Sequence, residues 1–148
     1  MRSDDPGYKI EYEKLMDMLP CALSIIKDFV IIDCNEAAVK IFGYERKEEL
    51  LGRKLYELSP EKQPDGCFSA EKGREILEHA IHEKETAFVW MHQRKNGDLF
   101  LARIRIFNRD GIFYAVIEDI NEKEQLKEQL SRKEYLYRML FENHDTAL

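Results

Sequence analysis

Two turn dipeptides constrain this chain more than any other feature. Asn96-Gly97 and Asp110-Gly111 separate three runs rich in β-branched and aromatic residues, Thr86 to Arg94, Asp98 to Asn108 and Ile112 to Ile120. Asn-Gly and Asp-Gly readily take the left-handed backbone of tight hairpins, whose twist matches the flanking strands. The three runs therefore predict consecutive antiparallel strands. In the middle run Phe100, Ala102, Ile104 and Ile106 share a face that should meet the core, while Leu99, Leu101, Arg103, Arg105 and Phe107 share the other. The second set is too apolar for a fully wet surface, so the N-terminal helix or a second subunit is expected to cover part of it. In the first run Phe88 and Trp90 alternate with the equally apolar Val89 and Met91, so the pattern leaves the inward face open.

Upstream, the period is mixed. Asp5-Pro6 opens a helix with the stripe Tyr8, Tyr12, Leu15 and Leu19, which Pro20 ends. Ala22 to Lys27 and Phe29 to Asp33 read as a hairpin about the polar pair Lys27-Asp28. Asn35 is placed to cap a helix over Glu36 to Phe42, stopped by Gly43. A short helix over Arg46 to Leu51 and an apolar turn at Leu55, Tyr56 and Leu58 follow. Beyond the loop Ser59 to Gly66, Ser69 should cap a helix to about Lys84, with the stripe Ile76, Leu77, Ala80 and Ile81. Strands at both ends of a helical middle predict an α+β fold: one five-stranded antiparallel sheet with helices on one face, an N-terminal flanking helix and a long C-terminal helix.

That last helix should start after Asp119, with Asn121 and Glu124 spaced as a capping box, and run to about Glu142 without glycine or proline. Leu126, Leu130, Tyr137 and Leu140 follow a heptad seam that Lys133 interrupts. So narrow a seam suits pairing with a second copy, or reaching another domain, better than packing on a small sheet.

Composition excludes several classes. The chain has 148 residues, a charged fraction of 35% and a net charge of −6, with no basic patch, which argues against nucleic acid as a partner. Its three cysteines, Cys21, Cys34 and Cys67, are widely spaced, which fits a reducing compartment rather than disulfides or zinc. No apolar run suits a membrane span and no signal peptide opens the chain, so a cytoplasmic segment without membrane insertion is expected. No phosphate loop, GxSxG elbow or HExxH is present, and the carboxylates sit in mixed runs such as Glu45 to Glu49, so no catalytic residue and no enzyme activity are assigned. His79, His82, His92 and His144 lack partners at ligand spacing, so no metal site is assigned.

The segment DCNEAAVKIFGYERKEELLGRK, Asp33 to Lys54, closely resembles the PAS family. QRKNGDLF, Gln93 to Phe100, is similar to that family's hairpin between its last long strands, and EDINEKEQLKEQL, Glu118 to Leu130, to its exit into a linker helix. The motifs occur in the family's order between about Ala22 and Leu130. The resemblance implies a flanking helix over 1–20, a PAS core over 21–120, a connector or coiled-coil helix over 121–142 and the possible start of a following domain over 143–148. It implies a sensor or signal-relay module of a larger protein, such as a histidine kinase of a two-component system, working as a homodimer with a signalling domain in cis.

Ligands of this family sit between the helices and the inner sheet face. The pocket candidates are Val30, Ile32, Ala38, Ile41, Phe42, Leu55, Ile76, His79, Ala80, Trp90, Phe100, Ala102 and Ile104, and the relay candidates are Asp119, Asn121, Leu126 and Leu130. In flavin-binding light sensors a reactive cysteine follows the Gly-Arg that ends the acidic helix. Here Gly52-Arg53 is followed by Lys54 and Leu55, which argues against covalent flavin chemistry. Heme-binding members use a histidine on the long helix. His79 borders its stripe but is out of register, which argues against heme. Neither Cys34 nor Cys67 matches a thioester-linked chromophore, and His92 is read as a strand-end residue without a role. The cofactor stays unknown. Three readings remain: a sensor of an unidentified small molecule, a ligand-free dimerisation and interaction module, and a cofactor-bearing enzyme or photoreceptor.

Overall fold

A computed structural model describes residues 6–142, apart from the side chains of some residues in the two terminal helices. The elements in chain order are α1 (Pro6–Met18), β1 (Ala22–Lys27), β2 (Val30–Cys34), α2 (Glu36–Ile41), 3₁₀ turns at Lys47–Glu49 and Leu55–Leu58, α3 (Ser69–Ala80), β3 (Glu85–Gln93), β4 (Leu99–Arg109), β5 (Ile112–Asp119) and α4 (Ile120–Tyr137). A wider helical turn, Arg138–Glu142, closes the described chain. The strands form one antiparallel sheet in the order β2-β1-β5-β4-β3. β1 thus pairs with β5, so the first and last strands lie side by side within the sheet. No described helix is long and apolar enough to cross a membrane.

The meander forms where its turns predict. Gly97 (φ 95°), Asp110 (φ 52°) and Gly111 (φ 82°) all take the left-handed conformation. Phe100, Ala102, Ile104 and Ile106 are buried, and α2, α3 and the 3₁₀ turns pack over them. β3 resolves its ambiguity with Trp90 and His92 inward and Val89 outward.

Asn35 ties the N-terminal half together. It is 1% exposed. Its Oδ1 accepts from Ala38 N (3.0 Å), capping α2, and from Leu23 N (2.9 Å) on β1. Its Nδ2 donates to Met16 O (3.1 Å) at the end of α1 and to Cys21 O (2.8 Å). One amide therefore satisfies groups from three elements, using both its donor and its acceptor capacity.

The structure corrects several local expectations. The β1–β2 turn is Asp28-Phe29, both at positive φ (52° and 66°), rather than Lys27-Asp28. β2 also carries an irregularity, since Ile26 pairs with Ile31 while Ile25 pairs with Asp33, leaving Ile32 as the extra residue. A bulge of this kind switches the alternation. Ile31 and Cys34 therefore point to the core, Ile32 is 47% exposed and Val30 is half-buried. Among the described side chains of α1 the buried one is Met16, not Leu15, because the end of α1 is anchored at Asn35. Ser69 is the first residue of α3 rather than its cap. Its hydroxyl donates to Pro60 O and accepts from Gln63 Nε2 (2.9 Å). Asn121 does not cap α4. Asp119 Oδ1 accepts from Asn121 N (3.0 Å), and Asn121 Oδ1 accepts from Leu101 N (3.2 Å) on β4. The side chain of Glu124, the Asp5 start of α1 and the expected domain start over 143–148 lie outside the described residues.

Both sheet edges are occupied locally. Gly52 N donates to Ile31 O (2.8 Å) and Ile31 N to Arg53 O (3.0 Å) on the β2 side. On the β3 side the buried Gln63 accepts from Met91 N (2.8 Å) and donates to Met91 O (3.1 Å).

Asn35→Ala should destabilise the domain by on the order of 3 kcal/mol, because four buried backbone groups lose partners at once. Asn35→Asp keeps the two accepted bonds but turns a carboxylate on two carbonyls. Folding then favours the protonated acid, so the loss of stability relative to the parent protein should be larger at pH 7 than at pH 5. Urea unfolding at both pH values checks both expectations, and an Asn35→Asp variant as stable as the parent protein at pH 7 would contradict the second.

Candidate ligand cavity

The helical layer does not fill the inner face of the sheet. Between α3, the second 3₁₀ turn and the inner face of the sheet lies a cavity of about 530 Å³, within the range of small-molecule sites. Its floor is apolar, with Ile104 and Ile106 from β4 and Ala115 and Ile117 from β5. Leu77 of α3 and Leu55 and Leu58 of the second 3₁₀ turn form its roof. The charged lining residues, Asp28, Lys54, Arg74 and Glu78, are all exposed, so the charges mark the mouth and not the interior.

Trp90 and His92 form the β3 wall. The Trp90 indole donates from Nε1 to Ser59 Oγ (2.8 Å), the partner that a buried indole N–H requires. His92 is 6% exposed and lies edge-on to Phe42, with ring centres 4.9 Å apart. Its Nδ1 is 3.0 Å from Leu58 O. A carbonyl has no proton to give, so Nδ1 carries the hydrogen and Nε2 of the neutral ring keeps its lone pair. Nε2 has no partner among the described residues. Ser24 Oγ, on the β1 wall, is also buried and unpartnered. Burial pushes the His92 ring down to about 4, despite its bond to Leu58. The buried Cys34 thiol is pushed up to about 11, mainly by burial, and stays protonated at neutral pH.

Of the sequence candidates, Phe42, Leu55, Trp90 and Ile104 line the cavity. Ala38, Ala80, Phe100 and Ala102 are buried in the core beside it, and Ile41 and Ile76 pack at the margin of that core. Three belong elsewhere. Val30 bridges to Lys54, Ile32 faces outward because of the β2 bulge, and His79 lies on the exposed side of α3, where Nε2 is 3.9 Å from Glu83. His79 is thus unable to reach a cavity ligand. Sequence reasoning missed His92. Its signal was the alternation Phe88, Trp90, His92, which puts all three on one face once Trp90 points inward. It also missed Ser24, hidden within the apolar run Ala22 to Lys27.

The relay candidates fall into two groups. Asp119 and Asn121 sit at the β5–α4 junction, bonded as described above. Leu126 and Leu130 are each 59% exposed.

His92 makes stability pH-dependent. An unfolded histidine takes a proton near 6.5, whereas the folded ring resists until about 4. Between these values the unfolded state binds more protons, so stability is full above 6.5 and falls with acidification through the window. The total is on the order of 3 kcal/mol. Urea midpoints at pH 7 and pH 5 should diverge more for the parent protein than for His92→Phe, and equal divergence would assign the acid sensitivity to other groups.

Comparison with known proteins agrees with this architecture. No curated protein matches the sequence. Among solved structures, the PAS domain in complex with ethanol of a LuxR-family transcriptional regulator from Burkholderia thailandensis is 24% identical, with a TM-score of 0.62 over 74% of this chain and 97% of that one. The PAS domain of an HTR-like protein from Haloarcula marismortui is 22% identical, with a TM-score of 0.62 over 76% and 92%. A domain of a sensory box sensor histidine kinase/response regulator from Geobacter sulfurreducens is 17% identical, with a TM-score of 0.57 over 80% and 100%. At these identities the likeness shows the fold. The PAS domain family model matches residues 20–122, most of the chain, and on that match this chain belongs to the PAS domain family.

Proposed function

We propose that this chain is a sensing segment of a larger signalling protein, in which a small molecule in the cavity biases the β5–α4 junction and α4 carries the change to a domain in cis. The observation behind this reading is Arg94, at the end of the β3 wall. Its Nε donates to Ile41 O (3.0 Å) at the end of α2, its Nη2 pairs with Asp119 (2.8 Å), and its guanidinium lies 4.2 Å from the centre of the Phe100 ring. Phe100 packs on both His92 and Phe42, which line the cavity. A ligand that displaces either ring therefore pushes on the residue that holds Asp119, and Asp119 caps α4. The Arg94 and Asp119 side chains are 28% and 13% exposed, so salt screens this pair less than a surface pair. The ligand needs only different affinities for two arrangements of this junction to shift their populations. Family membership supports a regulatory role, and the signalling proteins among the structural neighbours support a parent of that type, a two-component histidine kinase included. The reading assigns no catalytic residue to this chain and places it in the cytoplasm.

A second reading, homodimerisation, has its own observation. Leu126, Leu130, Tyr137 and Leu140 are each about 60% exposed along one heptad seam of the terminal helix, and Val89 and Leu99 add exposed apolar surface on the outer face of the sheet. A second copy would cover the seam, and the two readings are compatible.

Arg94→Ala removes the Arg94–Asp119 ion pair, so it should cost on the order of 2 kcal/mol and uncouple output from the cavity. Inserting one residue after Asn121 rotates the seam by about 100° and should disrupt output in the parent protein, while a seven-residue insertion should preserve it. Output indifferent to Arg94→Ala and to the one-residue insertion would sink the relay. For the dimer, sedimentation equilibrium should give twice the chain mass, and Leu126→Glu with Leu130→Glu should return the monomer.

A further inference from the structure

The cavity interior is selective in one respect that its apolar lining hides. Among the described residues, His92 and Ser24 are the lining residues that carry a buried side-chain atom without a partner, since the Trp90 N–H already donates to Ser59. The two differ in what they demand. The Ser24 hydroxyl rotates and can donate or accept. Nε2 of His92 is fixed in direction by the Nδ1 bond to Leu58 O and by packing against Phe42 and Phe100, and it can only accept. Three strand spacings separate β1 from β3 in the sheet order, about 14 Å, so one polar group cannot serve both residues. An unpaired buried acceptor disfavours any occupant that offers it nothing. The charged lining residues are all at the exposed mouth, so a charge carried deep into the cavity would find no counter-ion.

Resting on the reading of this cavity as a sensory site, we propose that it takes an uncharged, largely apolar organic molecule carrying one hydroxyl or N–H group, which donates a hydrogen bond to Nε2 of His92. Burial keeps the ring unprotonated at neutral pH, so the acceptor persists under ordinary conditions.

The test uses a matched pair of probes, 2-naphthol and 2-methoxynaphthalene, which differ in the donated proton. Calorimetry on the chain should show 2-naphthol binding at least tenfold more tightly. His92→Phe, checked for folding by circular dichroism, should abolish the difference. Because that variant puts a larger phenyl ring in place of the buried imidazole and loses its bond to Leu58 O, a second measurement is made on the unsubstituted protein. Two-bond ¹H–¹⁵N spectra of histidine-labelled protein should show Nε2 unprotonated and shifted by 2-naphthol but not by the ether. Equal affinity for both probes, or a protonated Nε2, overturns the donor requirement while leaving a ligand-binding cavity intact. Binding of neither probe overturns the ligand class, and the Arg94 and insertion experiments then decide separately whether the relay stands. A His92-dependent Soret band on adding hemin would make Nε2 an iron ligand and also overturn the proposal.

Discussion

One buried amide sets the frame on which the rest is built. Asn35 closes β1 against the start of α2 and draws the end of α1 onto the same point, using two donors and two acceptors inside the protein. A leucine would fill the volume but lose all four side-chain hydrogen bonds, and an aspartate would keep only the two accepted ones. Asp17 adds to the same junction by accepting from Glu36 N (3.1 Å). With that corner fixed, α2 lies over the sheet and Phe42 reaches the β3 wall. His92 and Phe100 then have a ring to pack against. The cavity thus inherits one wall from a capping interaction.

Several buried polar side chains are closely satisfied. Gln63 makes three hydrogen bonds, Ser69 two, and Trp90 finds Ser59. Against that background the unpartnered atoms gather near the cavity: of the three buried side-chain atoms without a partner among the described residues, two belong to the lining residues Ser24 and His92, while Thr86 Oγ1 does not. Buried polar groups in folded proteins are nearly always bonded, so exceptions grouped around one space are informative about that space.

Much of the fold was legible because strong local rules governed it. Asn96-Gly97 and Asp110-Gly111 set two hairpins, the alternation of Phe100 to Ile106 set the inner face, and Asn35 announced its helix. What misled was local chemistry overridden by tertiary context. A glycine-free turn at Asp28-Phe29 and a bulge at Ile32 moved the inward residues of β2, and no pattern in VIID distinguishes the bulged reading from the regular one. Ser69 and Asn121 looked like caps but their side chains are drawn into other contacts, with Pro60 and Gln63 in one case and β4 in the other. The site was the least legible part. Apolar wall residues look the same as core residues in a sequence, and His92 gains its meaning only from Leu58, which lies 34 positions away.

The Gln63 clamp on Met91 has a consequence for how copies of this chain can meet. An edge strand normally offers its free N–H and C=O groups to any extended chain that drifts past, and this is a common route to runaway assembly. Here the side-chain amide already occupies the outward groups of Met91, mimicking one rung of a neighbouring strand without continuing the ladder. An extended chain approaching at that rung meets a stopper, so a ladder that starts along β3 cannot run through Met91.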